Sequence, residues 1–397
     1  MRRLLSLENL TLTGIVLGIL FGVLFPDVAI HMRLPGKAFL DLLKMIALPL
    51  VFFSVFASVI NLGNVSRLGD LGWKTVLYYL STTFLAVLTG IIVVNIILYL
   101  FPPEPSFATQ SVAEIKKFSL EDLIRSFVPS NIVRSFYDFQ VLHVIVIAIL
   151  FGSAALYLSD EDRKFVSLFA GSFDRLIMKV AVWIIALSPV GVFALVAYVI
   201  ADKGLDAIFS LWVYALAVVV GLLIHGVLNL PAVGYLIGRF SPYRYFHRVK
   251  EALLIAFSTS SSAATLPVSM EVATQKAEVK EEVASFVLPL GATVNMDGTA
   301  LYESVAAIFV ASLYGIKLTI GQQLIIFFTA ALAAIGAAAI PSAGLVTMTL
   351  VFSAVGIPLE GIAIILSIDR FLDMLRTTVN VWGDLIGAKL IERFVSG

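Results

Sequence analysis

Residues 258–267 read Ser258-Thr-Ser-Ser-Ser-Ala-Ala-Thr-Leu-Pro267, and this polar run lies between two stretches that are each long enough for a helix. A second run of small and polar residues, Ala334-Ile-Gly-Ala-Ala-Ala-Ile-Pro-Ser-Ala-Gly344, lies in a similar setting. The chain around both runs is strongly apolar, yet the first run is too polar to face lipid. We interpret both runs as the tips of helical hairpins.

Composition places these hairpins in a membrane protein. The 397 residues are 60% hydrophobic and 14% charged, with a mean hydropathy of +1.00, whereas about a quarter of the residues of a soluble domain are charged. Uncharged stretches of about the length that a spanning helix needs lie at 9–26, 45–66, 75–103, 139–159, 180–201 and 207–238. We therefore predict an all-α polytopic membrane protein.

Charge and cysteine content exclude several classes of protein. Lys and Arg number 27, as do Asp and Glu, so the chain lacks the net positive charge with which a protein attracts nucleic acid. Without cysteine there is no disulfide, thiolate metal site or haem attachment, and we expect no prosthetic cofactor. His143 and His225 interrupt apolar stretches, and we assign neither of them a functional role because a lone histidine usually packs against a partner.

Basic residues predict the orientation. They concentrate in alternate loops, which is typical of the cytoplasmic side: Arg2, Arg3, Arg67, Lys74, Arg163, Lys164, Arg239, Arg244, Arg248 and Lys250. The N-terminus is therefore predicted to be cytoplasmic.

Each predicted hairpin is followed by a long helix with a polar cluster. Asn295-Met-Asp-Gly-Thr299 follows the first, and the segment from Asp373 to Asp384 follows the second. Interrupted segments at matching positions of two repeats indicate the midplane site of a secondary transporter. Small residues can also serve only for close helix packing, which accounts for the alanines better than for the serines and aspartates.

Acids outnumber bases in these apolar segments. Only Arg370 and Arg376 stand against five acids, namely Asp297, Glu303, Asp369, Asp373 and Asp384. Buried carboxylates must be protonated, paired or bound to cations, so mobile cations and a ligand ammonium would supply the missing charge. The alternative is an ion-pair network that only fastens helices together. We predict cation-coupled binding.

The residue types indicate a hard cation and an acidic amino acid. Carboxylate, amide, hydroxyl and free carbonyl oxygens suit Na⁺ rather than a transition metal. Arg376 presents a planar fork that matches a carboxylate, and Asp373 lies one turn earlier, where it could bind an ammonium. Serines and backbone N–H groups at the hairpin tips could hold a second carboxylate.

These residues resemble the glutamate/aspartate transporters of the dicarboxylate/amino acid:cation symporter family. The resemblance covers nearly the whole chain and includes four motifs: the serine-rich run to Pro267, Asn295-Met-Asp-Gly-Thr299, Pro341-Ser-Ala-Gly344 and Asp373-Met-Leu-Arg-Thr-Thr-Val-Asn380. It implies eight transmembrane helices, two re-entrant hairpins, inverted repeats, an elevator mechanism, and a homotrimer in the plasma or inner membrane.

The resemblance also implies two domains. Residues 1–73 (helices 1 and 2) and 102–204 (helices 4 and 5) would form a trimerisation scaffold. Residues 74–101 (helix 3) and 205–397 would form a moving transport domain, which contains helix 6, hairpin 1 at about 249–277, helix 7, hairpin 2 at about 321–352 and helix 8.

Site residues follow from the resemblance by position. Arg376 would hold the side-chain carboxylate of the substrate and Asp373 its amino group, and hairpin 2 would be the gate. The remaining substrate contacts would be Ser260, Ser261, Ser262, Thr299, Ile340, Pro341, Ala343, Gly344, Thr377 and Asn380.

The resemblance likewise implies three sodium sites. The first would use the carbonyls of Gly291 and Asn295 with Asn380 and Asp384. The second would use Tyr79, Thr82, Thr83, Asn295 and Asp297. The third would use Thr293 and the carbonyls of Ala334, Ile335 and Ala337.

Two positions bear on the coupling ions. Glu303 matches the glutamate linked to proton coupling in animal and some bacterial members, so we predict H⁺ cotransport. Ser260 and Met374 occupy positions where some archaeal and animal members, respectively, carry an arginine, and this chain has neither arginine.

Three alternatives remain. A C4-dicarboxylate carrier on the same fold would typically lack an acid at Asp373, because its substrate has no ammonium. A passive channel would show no coupled uptake. An intramembrane protease would need a nucleophile or an aspartyl pair, and neither HExxH nor GxSxG occurs in the chain.

Overall fold

The computed structural model describes residues 7–65, 70–103, 125, 128–204, 211–335 and 344–395, and within these ranges all regular structure is helical. The helices are α1 (Leu7–Leu24), α2 (Pro26–Ala29), α3 (Arg33–Val65), α4 (Asp70–Leu100), α5 (Ile132–Tyr137), α6 (Val141–Ala155), α7 (Asp160–Ile185), α8 (Ser188–Lys203), α9 (Leu211–Leu223), α10 (Leu230–Leu236), α11 (Pro242–Thr259), α12 (Ser262–Glu271), α13 (Glu281–Val294), α14 (Asp297–Leu313), α15 (Ile320–Ile335), α16 (Gly344–Val355) and α17 (Gly361–Val395). The predicted all-α class is confirmed.

Three of the described helical stretches are long and apolar enough to span a bilayer, namely Pro26–Ile60, Leu71–Leu100 and Leu211–Leu236. The last of these contains a π-helical turn, Ile224–Asn229, between α9 and α10. Shorter apolar helices are Thr13–Leu24, Val141–Ala155, Ile320–Ile335 and Gly344–Val355. The apolar helices are those of a membrane-embedded protein.

The predicted helix at 180–201 is wrong, because this stretch belongs to two helices. Asp160–Ile185 and Ser188–Asp202 meet at an angle of 51°, and together they pass as one bent span. Pro189 lies at the start of the second helix. A proline has no N–H with which to continue the preceding helix, so the chain bends at this point.

The uncharged stretch that starts at residue 45 is only part of its helix, since α3 begins at Arg33. Its first turns include charged residues such as Asp41, which is exposed, whereas Phe39 and Leu43 on the other face are buried. Burial of one face therefore extends the helix beyond the uncharged stretch.

Helices α1, α3, α6, α7 and α8 pack together. Helix α1 lies close against α8, where an added Cβ at Gly14 would lie 2.4 Å from the carbonyl oxygen of Pro189. Gly18 and Gly22 follow at four-residue spacing on the same face, against Phe193 and Ile200. Small residues allow membrane helices to approach this closely. Helix α3 contacts α6, α7 and α8.

The first predicted hairpin tip lies between two helices that contact each other, α11 and α12. Ser260 ends α11 with a left-handed backbone, φ 50° and ψ 35°, and the Ser261 side chain caps α12 by accepting from the N–H of Ala264. Helix α11 begins at Pro242, earlier than the predicted boundary near 249, while the π-helical turn after α12 ends at Lys276.

The second predicted tip is flanked by α15 and α16, which also contact each other. Residues 336–343 of this tip, including Ala337, Ile340, Pro341 and Ala343, lie outside the described residues. Helix α16 also contacts α3.

Helix α14 lies at the centre of the second half of the chain. Almost all of its side chains are buried, and it contacts α4, α9, α15 and α17. The segment predicted as one long helix is broken before it, because Asn295 and Met296 have non-helical backbone angles. At such a break some backbone groups lose their partners within the helix, and here these groups lie next to α4 and α17.

Candidate functional site

The beginning of α14 lies directly against the polar face of α17. The N–H of Gly298 donates to Asn380 Oδ1 across 2.7 Å, and an added Cβ at Gly298 would lie 2.4 Å from the carbonyl oxygen of Arg376. Only glycine permits this approach. Asn380 Nδ2 also donates to Thr299 Oγ1 across 3.3 Å, so two of the predicted substrate residues are in contact.

One cation and two carboxylates occupy the next turns of α17. Arg376 Nε donates to Asp373 Oδ1 across 2.8 Å, and its Nη1 lies 3.5 Å from Asp369 Oδ1. Tyr302 donates to the same Asp369 oxygen across 2.6 Å, and its ring centroid lies 4.5 Å from Arg376 Cζ. All four side chains are buried. Their surroundings exclude water, so each charge depends on its protein neighbours.

The second predicted hairpin segment reaches this cluster, and the first contacts the helix that carries it. An added Cβ at Gly344, the first residue of α16, would lie 2.6 Å from Arg376 Nη1. Helix α12 contacts α17, and Ser260, Ser261 and Ser262 at its start are buried. Thr377 Oγ1 lies 3.5 Å from Asp373 Oδ1. The described residues that are predicted to bind substrate therefore lie on the two predicted hairpin segments, α14 and α17.

A group of oxygens surrounds Asp297. Thr83 Oγ1 donates to Asp297 Oδ1 across 2.7 Å, and Thr82 Oγ1 lies 3.4 Å from that oxygen and from Asn295 Oδ1. Oxygens that share a hard cation at about 2.4 Å and right angles are about 3.4 Å apart. Tyr79, by contrast, donates to the carbonyl of Val287 across 2.8 Å. The threonines predicted for this site thus reach Asp297, whereas the Tyr79 hydroxyl is bonded elsewhere.

A second group of polar atoms surrounds Asp384. Asn295 Nδ2 donates to Asp384 Oδ1 across 2.9 Å, and an added Cβ at Gly291 would lie 2.4 Å from that oxygen and 2.5 Å from the Tyr79 hydroxyl. Since the other end of the Asn295 amide faces Thr82, this single side chain joins the two groups of oxygens. The break between α13 and α14 places it there.

Less of the third predicted sodium site can be described. Thr293 is exposed, and its hydroxyl donates to the carbonyl of Leu290 across 3.0 Å. Helix α13 contacts α15, which carries Ala334 and Ile335. This site stays a prediction.

Glu303 is buried one turn beyond Thr299 on α14. Its Oε1 accepts a hydrogen bond from Thr347 of α16, and its Oε2 has no hydrogen-bond partner among the described residues. A charged carboxylate with one oxygen that lacks a hydrogen-bond partner is costly in such a place.

Sequence reasoning did not identify the partner of His225. This histidine is fully buried, and its Nε2 lies 3.2 Å from Asp297 Oδ2. It lies in the π-helical turn between α9 and α10, and the four helices α10 to α13 separate it from Asp297 at the start of α14. The sequence carries no signal for such a contact, because helical periodicity does not reveal what a side chain faces on another helix.

The atoms that could bind a cation in the groups around Asp297 and Asp384 are oxygens. Within the described ranges there is no group of three or more His, Cys, Asp and Glu residues that could hold a metal. Hydroxyl, amide and single carboxylate oxygens match the preference of hard, weakly bound cations.

A broken helix, two pairs of contacting short helices and a buried polar centre are the features of a membrane transporter. Residues 7–394 match the sodium:dicarboxylate symporter family model, and the chain belongs to that family. It is 33% identical to excitatory amino acid transporter 2 of Homo sapiens, over 97% of this chain and 78% of the relative.

Other relatives are similarly close. An excitatory amino acid transporter of Caenorhabditis elegans is 34% identical over 97% of this chain and 87% of its own. Excitatory amino acid transporter 3 of Oryctolagus cuniculus is 34% identical over 96% of this chain and 84% of its own. The protein is a transporter and not an enzyme, so the protease alternative is wrong.

Proposed function

We propose that this protein is a secondary active symporter that takes up L-aspartate or L-glutamate into the cell, driven by Na⁺. The observation that carries the proposal is the buried pair of Arg376 and Asp373, one turn apart on α17. The pair offers one positive and one negative partner at the same place. An acidic amino acid has a carboxylate for the first and an ammonium for the second.

Charge balance supports coupling to cations. Asp297 and Asp384 are both buried, and neither has an arginine or lysine among its described ion-pair partners. Sodium bound to the oxygens around each carboxylate would neutralise them. The gradient of that ion would then drive substrate accumulation. The other oxygens that we propose as ligands of the sodium ions and of the substrate belong to the residues that the family resemblance assigns to these sites in the sequence analysis.

The second hairpin is the gate in this proposal. Gly344 begins α16 against Arg376, so movement of α16 would cover or uncover the guanidinium. The helices α1–α3 and α5–α8 would be the fixed scaffold of a homotrimer, and α4 with α9–α17 would move as an elevator. The N-terminus would face the cytoplasm, in the plasma or inner membrane.

A C4-dicarboxylate carrier is the second candidate, favoured by the description of the family. Asp373 argues against it, because a dicarboxylate would leave this buried carboxylate without an ammonium.

The test is uptake of radiolabelled L-aspartate into proteoliposomes that hold the purified protein. Accumulation should require an inward Na⁺ gradient, stop when choline replaces Na⁺, and resist competition by succinate. Uptake that proceeds equally without Na⁺ would contradict sodium coupling. Stronger competition by succinate than by L-glutamate would favour the dicarboxylate carrier.

A further inference from the structure

A line of hydrogen-bonding side chains ends on Asp297 from the side opposite to the threonines. His225 Nε2 lies 3.2 Å from Asp297 Oδ2, and His225 Nδ1 lies 3.5 Å from Asn229 Nδ2. Asn229 Nδ2 in turn donates to Thr89 Oγ1 across 2.8 Å. Three segments, α4, the π-helical turn and α14, thus meet at one carboxylate.

The direction of each hydrogen bond follows from the chemistry of the groups. The amide nitrogen of Asn229 can only donate, so Nδ1 of His225 is the acceptor and Nε2 carries the proton. Nε2 therefore donates to Asp297 Oδ2. The Thr89 hydroxyl donates to the carbonyl of Leu85 across 2.7 Å and accepts from Asn229. This pattern holds the imidazole in one tautomer and one orientation.

The backbone between α9 and α10 is built for this contact. His225 and Asn229 both lie in the π-helical turn Ile224–Asn229, a rare element that is frequent at functional sites. With five-residue hydrogen bonding, the carbonyl of Gly226 would need the N–H of residue 231, which is Pro231 and has none. Trp382 Nε1 of α17 donates to that carbonyl instead, across 2.9 Å. The turn is thereby tied to the helix that carries Asp384.

We infer that His225 and Asn229 are positioning residues for the sodium site at Asp297, an inference that rests on the proposed sodium coupling. The His225 side chain binds Asp297 Oδ2, so Asp297 Oδ1 is the oxygen that faces Thr82, Thr83 and the cation. Partners that orient a ligating group in this way commonly change metal affinity by about 10- to 100-fold when they are removed. Neither residue touches the substrate groups on Arg376 and Asp373 in the hydrogen bonds described.

The experiment compares sodium dependence in four variants. His225→Leu removes both ring nitrogens, His225→Gln offers an amide donor in their place, and Asn229→Ala leaves the imidazole but frees Nδ1. His143→Leu is the matched control, since His143 lies on α6, where its Nε2 is 2.8 Å from the carbonyl of Arg125. Two quantities are measured: the half-saturating Na⁺ concentration for L-aspartate uptake, and the rise in melting temperature that Na⁺ alone produces in the purified protein.

His225→Leu should raise the half-saturating Na⁺ concentration by about 10- to 100-fold and reduce the Na⁺-induced rise in melting temperature. The half-saturating L-aspartate concentration at saturating Na⁺ should stay unchanged. His225→Gln should recover part of the loss, Asn229→Ala should be intermediate, and His143→Leu should match the wild type in both sodium measurements.

The outcomes separate this inference from the proposed function. If neither uptake nor melting temperature of the wild type responds to Na⁺, sodium coupling itself is wrong. If the wild type responds to Na⁺, and His225→Leu and Asn229→Ala show the same sodium dependence as the wild type, the positioning role is wrong. A lower melting temperature with unchanged sodium dependence shows a packing role only and also overturns the inference. If His225→Leu does not fold, Asn229→Ala decides between these outcomes.

Discussion

Arg376 and Asp373 bind each other through a 2.8 Å hydrogen bond between Nε and Oδ1, both side chains being buried. An acidic amino acid that inserted between them would replace one ion pair by two, and no charge would be left alone. A dicarboxylate would satisfy Arg376 but leave Asp373 as an uncompensated buried charge, which is strongly unfavourable. Under the proposed function, the pair would therefore discriminate by charge and not by size.

Replacing Asp373 by asparagine tests this discrimination. Asp373→Asn should raise the half-saturating L-aspartate concentration by about 10- to 100-fold, because a hydrogen bond to a charged group contributes about 1.5–3 kcal/mol. Succinate should become a relatively better competitor. Both are measured by competition in proteoliposomes at saturating Na⁺.

The matched control is Asp369→Asn, which alters the other carboxylate next to Arg376. Asp369 also accepts from Tyr302, so this change should affect stability more than the ratio of L-aspartate to succinate. An equal change of that ratio in both variants would mean that Asp373 only neutralises Arg376.

The contact between Gly298 and Arg376 predicts a defined loss of stability. In Gly298→Ala the added Cβ would be 2.4 Å from a backbone oxygen, which cannot rotate away. Overpacking of this kind costs about 1–3 kcal/mol, so the melting temperature of the detergent-purified protein should fall. Gly171→Ala is the control, because its Cβ would lie 3.4 Å from the flexible Arg175 side chain. Equal melting temperatures of the two variants would contradict the close approach of α14 to α17.

Thr83 gives a direct test of the cation site. Thr83→Val keeps the branched shape but removes the hydroxyl that lies 2.7 Å from Asp297 Oδ1. The half-saturating Na⁺ concentration should rise about tenfold or more, since the lost hydrogen bond to a charged group contributes about 1.5–3 kcal/mol. Thr75→Val is the matched control on the same helix, because Thr75 is buried and donates to the carbonyl of Leu71. The same shift in both variants would refute a specific role of Thr83.

The sequence was sufficient for the polar face of α17, and the reason is physical. Lipid excludes charges, so Asp373 and Arg376 had to point inward, and the helical repeat put Asp384 on the same side. The threonines of α4 were assigned by the family resemblance instead. Contacts between helices could not be predicted in this way, because they depend on how the helices pack against one another.

Three features needed the structure for that reason. His225 contacts Asp297 of a different helix, and residue spacing within one helix does not reveal such a contact. Asn380 uses its side-chain oxygen to accept from Gly298 at the start of α14, although sequence reasoning gave it only to ligands. The early start of α3 at Arg33 depends on burial of one face, while the search for uncharged runs averages over both faces.

Glu303 predicts that a proton moves with the substrate. Thr347 has one hydroxyl proton and two neighbours, Glu303 Oε1 and the carbonyl of Gly344 at 3.3 Å. A protonated Glu303 can donate to Thr347, which then donates to Gly344 at the start of α16. An ionised Glu303 takes that proton for itself, so the charge of Glu303 and the hydrogen bonding of the proposed gate are linked.

In proteoliposomes with a fixed Na⁺ gradient, a more alkaline interior should therefore increase L-aspartate accumulation by the wild type. Glu303→Gln imitates the protonated acid permanently, since its amide can donate to Thr347, and it should bind L-aspartate but lose the response to the pH gradient. Thr347→Val keeps the acid but removes the hydroxyl that connects Glu303 to the carbonyl of Gly344. Uptake by this variant should still respond to the pH gradient, whereas the opening and closing of the proposed gate should change. Accumulation by the wild type that ignores the pH gradient, or an undiminished response in Glu303→Gln, would show that Glu303 does not carry the proton.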